Sequence, residues 1–438
     1  MIAKIVMLIA FVTVFGFVFY ILFTKEKTNL AFVKYMLYAY PFLGIDLLPS
    51  YFSFNIFDLL TILFFFFLFK RYAVDKTTST VYTYLFIFFF LTLIAGVYLS
   101  EELTRETGTA VLQLLSISIF IFILYQVLIF EKSARVEIFS GLRFMLVFSF
   151  IFLFLQFIFG PTFSFAKSEN INVAGGMAIR YPSFFQDPQK YAQFLSVLSF
   201  LVLVPYKQEA NGNSKLNIVL VILSVCALLF TGGRAGLGGW LVGLFLLVFL
   251  GNPTYRVQFI LVLLGLGSFA YAFQDQLPIF KRADLEASYI FRQMIWNDAL
   301  AIHQNHPWFG IGIGNYANYV AVHHPDQFWI NNNEITYYDH PESGYLKLLV
   351  EFGLPGFLLL LFLILYTMYQ NIYVYTKTKL IEHLLYIAAI VSWLVGFYTV
   401  YSLGDIRIKL LIAIILILSV ASIKTKDMYQ TINNKVHV

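Results

Sequence analysis

The sequence predicts an all-α fold: a polytopic transmembrane helical bundle of about 12–13 spans, with one long extracytoplasmic loop that contains short helices. Three observations support this prediction. Hydrophobic residues make up 60% of the 438 residues and charged residues only 12%, a balance that a water-soluble fold cannot bury. Apolar runs long enough to cross a bilayer core of about 30 Å recur along the chain. The charged residues fall between these runs.

Each apolar run is expected to form one helix. The runs cover residues 2–23, 30–49, 51–69, 81–99, 108–130, 138–159, 188–205, 216–231, 236–250, 257–273, 345–370, 383–402 and 406–423. The first run is long and lacks a small-residue cleavage site, so we interpret it as a spanning helix and not as a signal peptide. If it does not span, twelve helices with both chain ends inside would result.

Lysine and arginine residues indicate how the bundle is oriented. If the spans alternate, most of the loops rich in these residues fall on one side of the membrane, which should be cytoplasmic. They are Lys25/Lys27, Lys70/Arg71/Lys76, Lys132/Arg135, Lys207/Lys215, Arg256, Lys377/Lys379 and Lys424/Lys426/Lys435. The opposite side then receives the N-terminus and the loops at 160–187, 231–236 and 274–344.

Three regions follow from this arrangement: an N-terminal transmembrane bundle (1–273), an extracytoplasmic loop with catalytic elements (274–344), and C-terminal transmembrane helices with a cytoplasmic tail (345–438). The net charge of +5 is spread over short loops, where membrane topology explains it without nucleic acid. The single cysteine, Cys226, excludes an internal disulfide.

The loop at 274–344 is the part of the chain most suited to chemistry, since long polar loops are usually functional. It holds five of the seven histidines and three of the five tryptophans. Residues 287–304 have helical apolar spacing, and Gly310, Gly312 and Gly314 then predict a tight turn. The glycines are weak evidence for a nucleotide site, because no strand precedes them and no helix clearly follows. The histidine spacing matches none of the compact zinc signatures.

Three arginines are expected on the same side as this loop. Arg234 lies in a small-residue break between two apolar helices, and Arg180 and Arg292 occupy the neighbouring outer segments. A guanidinium next to the membrane is costly unless it meets an anion or water, and its planar donors suit a diphosphate. Snorkelling, or ion pairing with the acidic residues of the loop, is the alternative explanation.

A candidate proton acceptor lies just before the run at 345–370. Asp339, His340 and Glu342 surround Pro341 there, and a carboxylate or an imidazole can take a proton from a hydroxyl group. The same residues also suit the start of a helix, with Asp339 as the cap, Pro341 near the first helical position and Glu342 in the first turn.

Four motifs, in this order, resemble the O-antigen ligase and O-antigen polymerase superfamily of bacterial membrane proteins. They are residues 180–192, residues 231–236, residues 292–296 with 306–316, and residues 344–356. The resemblance covers about residues 170–400. It implies transfer of glycans from a polyprenyl diphosphate outside the cytoplasmic membrane. It also implies that Arg234 and Arg292 hold the diphosphate and that Arg180 assists.

The chain departs from the family pattern at one position. Many members have a catalytic histidine nine residues before the glutamate of the last motif, here Glu351, and that position is Glu342. His340 lies two residues away. By register, the resemblance therefore implies Glu342 as the base, with His340 as its partner or substitute.

We therefore predict a glycosyltransferase-type polymerase of lipid-linked repeat units, located in the bacterial cytoplasmic membrane. No cofactor and no metal are expected. The expected partners are the lipid-linked donor, an acceptor glycan and membrane lipids, together with a chain-length regulator and a flippase. Transfer of finished glycan to lipid A core or protein is the nearest alternative, and a lipid or polysaccharide transporter is another. The concentration of charges in one outer loop argues against transport.

Overall fold

The structure is a computed structural model of the whole chain. It describes residues 2–24, 27–47, 54–70, 80–99, 104–164, 179–205, 214–251, 254–275, 277–280, 285–325, 328–331, 334–338 and 340–436.

The described chain forms fifteen helices and one small hairpin, which confirms the predicted all-α membrane bundle. The helices are α1 (Ile2–Phe23), α2 (Thr28–Tyr38), α3 (Ile56–Phe67), α4 (Thr80–Leu99), α5 (Arg105–Phe130), α6 (Ala134–Phe159), α7 (Pro188–Leu201), α8 (Ser214–Thr231), α9 (Arg234–Leu250), α10 (Thr254–Ala272), α11 (Leu285–Asn305), α12 (Tyr316–His323), α13 (Gly344–Thr378), α14 (Ile381–Phe397) and α15 (Ile406–Val436). Strands β1 (Phe328–Asn331) and β2 (Glu334–Tyr337) pair antiparallel within the long loop.

Among the described residues, four helices are long and apolar enough to cross a membrane: Arg105–Phe130, Ala134–Phe159, Gly344–Thr378 and Ile406–Ile423. Six shorter apolar helices accompany them. Each of the thirteen predicted runs corresponds to a helix, but α2 has only 11 residues and α3 only 12, about half the length of a bilayer crossing. The count of 12–13 spans and the inside-outside assignment stay predictions.

Side-chain caps fix where several helices begin. Asn55 accepts a hydrogen bond from the Asp58 N–H at α3, Thr104 from the Thr107 N–H at α5, and Asp187 from the Gln189 N–H at α7. Pro188 occupies the first position of α7, where a missing N–H is harmless.

Helices α9 and α14 pack backbone to backbone. A Cβ atom added to Gly239 would lie 2.2 Å from the Ser392 carbonyl oxygen, and one added to Gly243 would lie 2.7 Å from that of Ala388. Gly236 meets Ala192 of α7 in the same way. Small residues on one helical face allow this close approach, which is how helices associate in lipid, where apolar side chains gain little from burial.

Helix α13 is broken near its start. Gly353 has φ 65° and ψ 177°, which are not helical angles, and Pro355 follows it. In an unbroken helix the Leu354 N–H would donate to the Val350 carbonyl. Here Leu354 N–H donates to the Pro307 carbonyl at 2.8 Å instead, and the Val350 carbonyl accepts from the Ile311 N–H at 3.0 Å. The loop thus satisfies both groups that the break sets free.

The segment that makes these two bonds is the predicted glycine turn. Gly310, Gly312 and Gly314 all have positive φ, between 67° and 91°, which confirms a tight turn. A Cβ at Gly310 would lie 2.4 Å from the Val350 carbonyl oxygen, so only glycine fits against α13. The expectation that no helix follows was wrong, because α12 begins at Tyr316.

The predicted helix at 287–304 is confirmed as α11. Its residues Ile295, Ala299 and Ile302 are buried at helical spacing, whereas Ile290 is 53% exposed. Ala299 and Ile302 form a small core with Ile311 and with Val350 of α13. The loop therefore packs on the bundle through its own apolar contacts as well as through the turn.

Two adjacent glycines of α9 test the close packing of α9 on α14. A Gly239→Ala substitution should lower the free energy of unfolding by about 1–3 kcal/mol, because the new methyl group meets the Ser392 carbonyl. Gly238→Ala is the matched control, since a Cβ there has no atom within 4 Å. It should be neutral or slightly stabilising, as alanine favours helix. Thermal unfolding in detergent measures both, and equal effects would contradict the packing.

Candidate functional site

Arg180, the first of the predicted arginines, lies against the break between α8 and α9. Gly232 adopts φ 62° there, and the buried Arg180 donates from Nε to the Thr231 carbonyl oxygen at 2.8 Å. A Cβ at Gly232 would lie 3.2 Å from that same Nε. The glycine therefore makes the room in which the Arg180 side chain crosses the break.

Arg234 is the first residue of α9 and is half-buried. Its Nε and Nη2 donate to the Ile279 carbonyl oxygen at 3.3 and 3.2 Å. Arg180 and Arg234 thus bind carbonyl groups at and beside the same two-residue break. The structure brings these two predicted residues together.

Arg292, Glu342 and His340 form a second group. Arg292 Nη2 lies 3.4 Å from one carboxylate oxygen of Glu342, and His340 Nε2 lies 3.8 Å from the other. All three side chains are between one fifth and one third exposed, so solvent and ligands can reach them. The proposed base therefore lies between the proposed phosphate-binding arginine and the imidazole.

The backbone at Glu342 departs from the expected helix start. Helix α13 begins at Gly344 with Ser343 in the N-cap position, so Glu342 is not in the first turn and Pro341 is not the first helical residue. Asp339 lies outside the described residues. Glu342 has φ 48°, a left-handed conformation that costs a non-glycine residue roughly 1–3 kcal/mol; Ser183 and Lys379 share it.

Three residues that the sequence analysis did not select extend this second group. The Tyr401 ring centre lies 6.0 Å from that of His340, and the Lys347 ammonium lies 4.7 Å from the Tyr401 ring centre. Lys347 also pairs with the buried Glu351 at 3.4 Å. Lys347 and Glu351 are charged residues inside an apolar run. That position could have identified them from the sequence, because charged residues in such runs are usually functional or paired.

The loop end of α14 lies between the two groups. On one side, α14 packs against α9, which Arg234 begins, and Gly396 faces Gln193 of α7. On the other side, Phe397 packs against Gly344 at the start of α13, directly after Glu342 and Ser343. Helix α14 therefore sets the spacing between Arg180 and Arg234 on one side and Arg292, Glu342 and His340 on the other.

Three of the remaining histidines of the loop, His306, His323 and His324, cluster around Tyr319. His306 Nε2 shares a hydrogen bond with the Tyr319 hydroxyl at 3.1 Å, and the His323 ring lies 4.3 Å from the Tyr319 ring. Burial lowers the pKa of His303. Within the described part of the chain, no three histidine, cysteine or acidic side chains are grouped so that they could hold a metal ion.

Comparison with known proteins adds one finding. Residues 219–361 match the family model described as O-antigen ligase. The match includes Arg234, Arg292, His340 and Glu342, whereas Arg180 precedes it. Among curated proteins, no match was found. Over residues 219–361 this multi-pass membrane protein is therefore similar to the O-antigen ligase family, which supports the resemblance drawn from its motifs.

Proposed function

We propose that this protein polymerises oligosaccharide repeat units carried on polyprenyl diphosphate, at the outer face of the bacterial cytoplasmic membrane. The contact of Arg292 with Glu342, and of Glu342 with His340, supports this proposal best. It joins a cation suited to phosphate with a group suited to accept a proton, inside the family segment. This reaction needs both.

In the proposed reaction, a hydroxyl oxygen of the acceptor glycan attacks the anomeric carbon of the donor glycan. The bond from that carbon to the diphosphate oxygen breaks, and its electron pair leaves with the polyprenyl diphosphate. Glu342 takes the proton of the attacking hydroxyl, with His340 as its partner. The sugar–diphosphate bond supplies the energy, so no nucleotide is consumed.

The arginines act on the charge that develops on the leaving group. A departing diphosphate gains negative charge in the transition state, and fixed guanidinium groups stabilise that charge more than they stabilise the ground state. Glu342 and the diphosphate would compete for Arg292, and the diphosphate carries the larger negative charge. Donor binding therefore draws Arg292 away from Glu342 and leaves the carboxylate free to face the acceptor hydroxyl.

Transfer of a finished glycan to lipid A core or protein is the second candidate. The description of the matching family as O-antigen ligase favours it, and it would use the same residues. The two differ only in the acceptor. A chain-length regulator and a flippase remain proposed partners, since a polymerase needs a supply of lipid-linked units on the outer face and a limit on product length.

The diphosphate role predicts the effect of removing the arginines. In a deletion strain, Arg292→Ala and Arg234→Ala should each reduce polymer at least about 100-fold, as removal of one transition-state donor does. Arg256→Ala is a suitable control, because that exposed side chain lies at the far end of α9 and α10 and contacts Phe249. Polymer length on gels, at matched protein levels, measures the effect. Full-length polymer from both variants would exclude the diphosphate role of Arg234 and Arg292.

The role of Glu342 predicts that activity and stability change in opposite directions. Glu342→Gly should remove the left-handed strain and raise the free energy of unfolding by about 1 kcal/mol, while it abolishes polymerisation. Glu342→Gln keeps the strain and should also be inactive, whereas His340→Ala should retain partial activity. Purified protein with a polyprenyl-diphosphate oligosaccharide provides the assay. If Glu342→Gln lengthens the glycan normally, Glu342 is not the base.

A further inference from the structure

We infer that Trp296 and Tyr398 form a sugar-binding platform beside the proposed base. The inference rests on the proposed function and adds a site for one pyranose ring of the glycan. Aromatic side chains bind sugars because the C–H bonds of a pyranose pack against a ring face, while its hydroxyls hydrogen-bond at the edge.

The position of Trp296 follows from α11. Trp296 lies four residues after Arg292, so both side chains occupy the same face of this helix, about 5–6 Å apart at Cβ. Arg292 contacts Glu342. Trp296 is therefore one helical turn from the contact at which the glycosidic bond would form, close enough for a sugar next to the reacting carbon.

Tyr398 completes the platform from the end of α14. Its ring centre lies 5.6 Å from that of Trp296, with the two planes at 62°. Tyr398 is 54% exposed, whereas its neighbour Phe397 is 1% exposed and packs in the core. Three residues further on, the Tyr401 ring packs at an angle against His340, with the ring centres 6.0 Å apart. The exposed ring thus lies on the short turn that also supports the histidine of the site.

The indole of Trp296 has an unmet hydrogen-bonding need. Its Nε1 is buried and has no hydrogen-bond partner within the described structure. Buried tryptophan N–H groups usually have one, and a donor left without a partner costs roughly 1–3 kcal/mol. A sugar hydroxyl supplies the acceptor if the exposed Tyr398 side chain turns aside and uncovers the indole.

Aromatic residues at a membrane surface also serve as lipid anchors, and a suitable substitution separates the two roles. The probe is the repeat oligosaccharide released from its lipid by mild acid, which has no lipid to insert. It is titrated against full-length protein in nanodiscs. Trp296→Ala and Tyr398→Leu should each weaken its binding about tenfold. Tyr398→Phe keeps the ring and should bind within about twofold of the unsubstituted protein.

Trp308→Ala is the matched control, because the Trp308 side chain is 66% exposed in the same loop. It should bind the oligosaccharide normally. Normal binding by Tyr398→Leu and Trp296→Ala, or an equal loss in Trp308→Ala, would overturn the platform. Protein that binds the oligosaccharide but never lengthens a lipid-linked one would contradict the proposed function alone. Lengthening with an unchanged KM for both the donor and the acceptor glycan in both platform variants would contradict the platform alone.

Discussion

The hydrogen bonds that α13 loses at Gly353 are the ones that fix the long loop to the bundle. The Leu354 N–H and the Val350 carbonyl would pair in a regular helix, and both instead bind the 307–311 segment. Backbone groups without partners cost several kcal/mol in an apolar medium. Because two such groups depend on the loop, the break and the docked loop stabilise each other. Arg292 precedes this docking point and Glu342 precedes the broken helix, so their contact depends on it.

The same constraint explains where irregular backbone occurs in the candidate site. At the α8–α9 break, Arg180 donates to the Thr231 carbonyl, and Arg234 binds the carbonyl of Ile279 in the adjoining turn. Non-helical backbone at membrane depth is tolerated where protein groups satisfy it. The two arginines therefore stabilise the α8–α9 break, in addition to their proposed binding of a diphosphate. Carbonyl groups bind them more weakly than a phosphate would, so a ligand can compete for them.

The prediction from sequence succeeded where the signal was local. Apolar run length located the helices, the glycine spacing located the turn at 310–314, and Arg234 between two apolar runs marked the α8–α9 break. The break at Gly353 in α13 was not predicted. It failed where a contact depends on the docked loop. Proline and acidic residues before α13 resembled a helix start, yet the chain starts the helix at Gly344 and leaves Glu342 in a left-handed turn. The pairing of Glu342 with Arg292 joins residues 50 positions apart, and no local pattern encodes it.

The left-handed backbone at Glu342 costs free energy that folding must offset. A residue without a β-carbon would adopt φ 48° more cheaply, so folding alone gives no reason for a glutamate there. The carboxylate must contribute something that offsets roughly 1–3 kcal/mol of strain, and its ion pair with Arg292, one fifth to one third exposed, is worth only about 0–1 kcal/mol. The ion pair therefore does not offset the whole strain energy. A carboxylate that is costly to hold and weakly paired, placed between Arg292 and His340, supports the proposed role of Glu342 as the base.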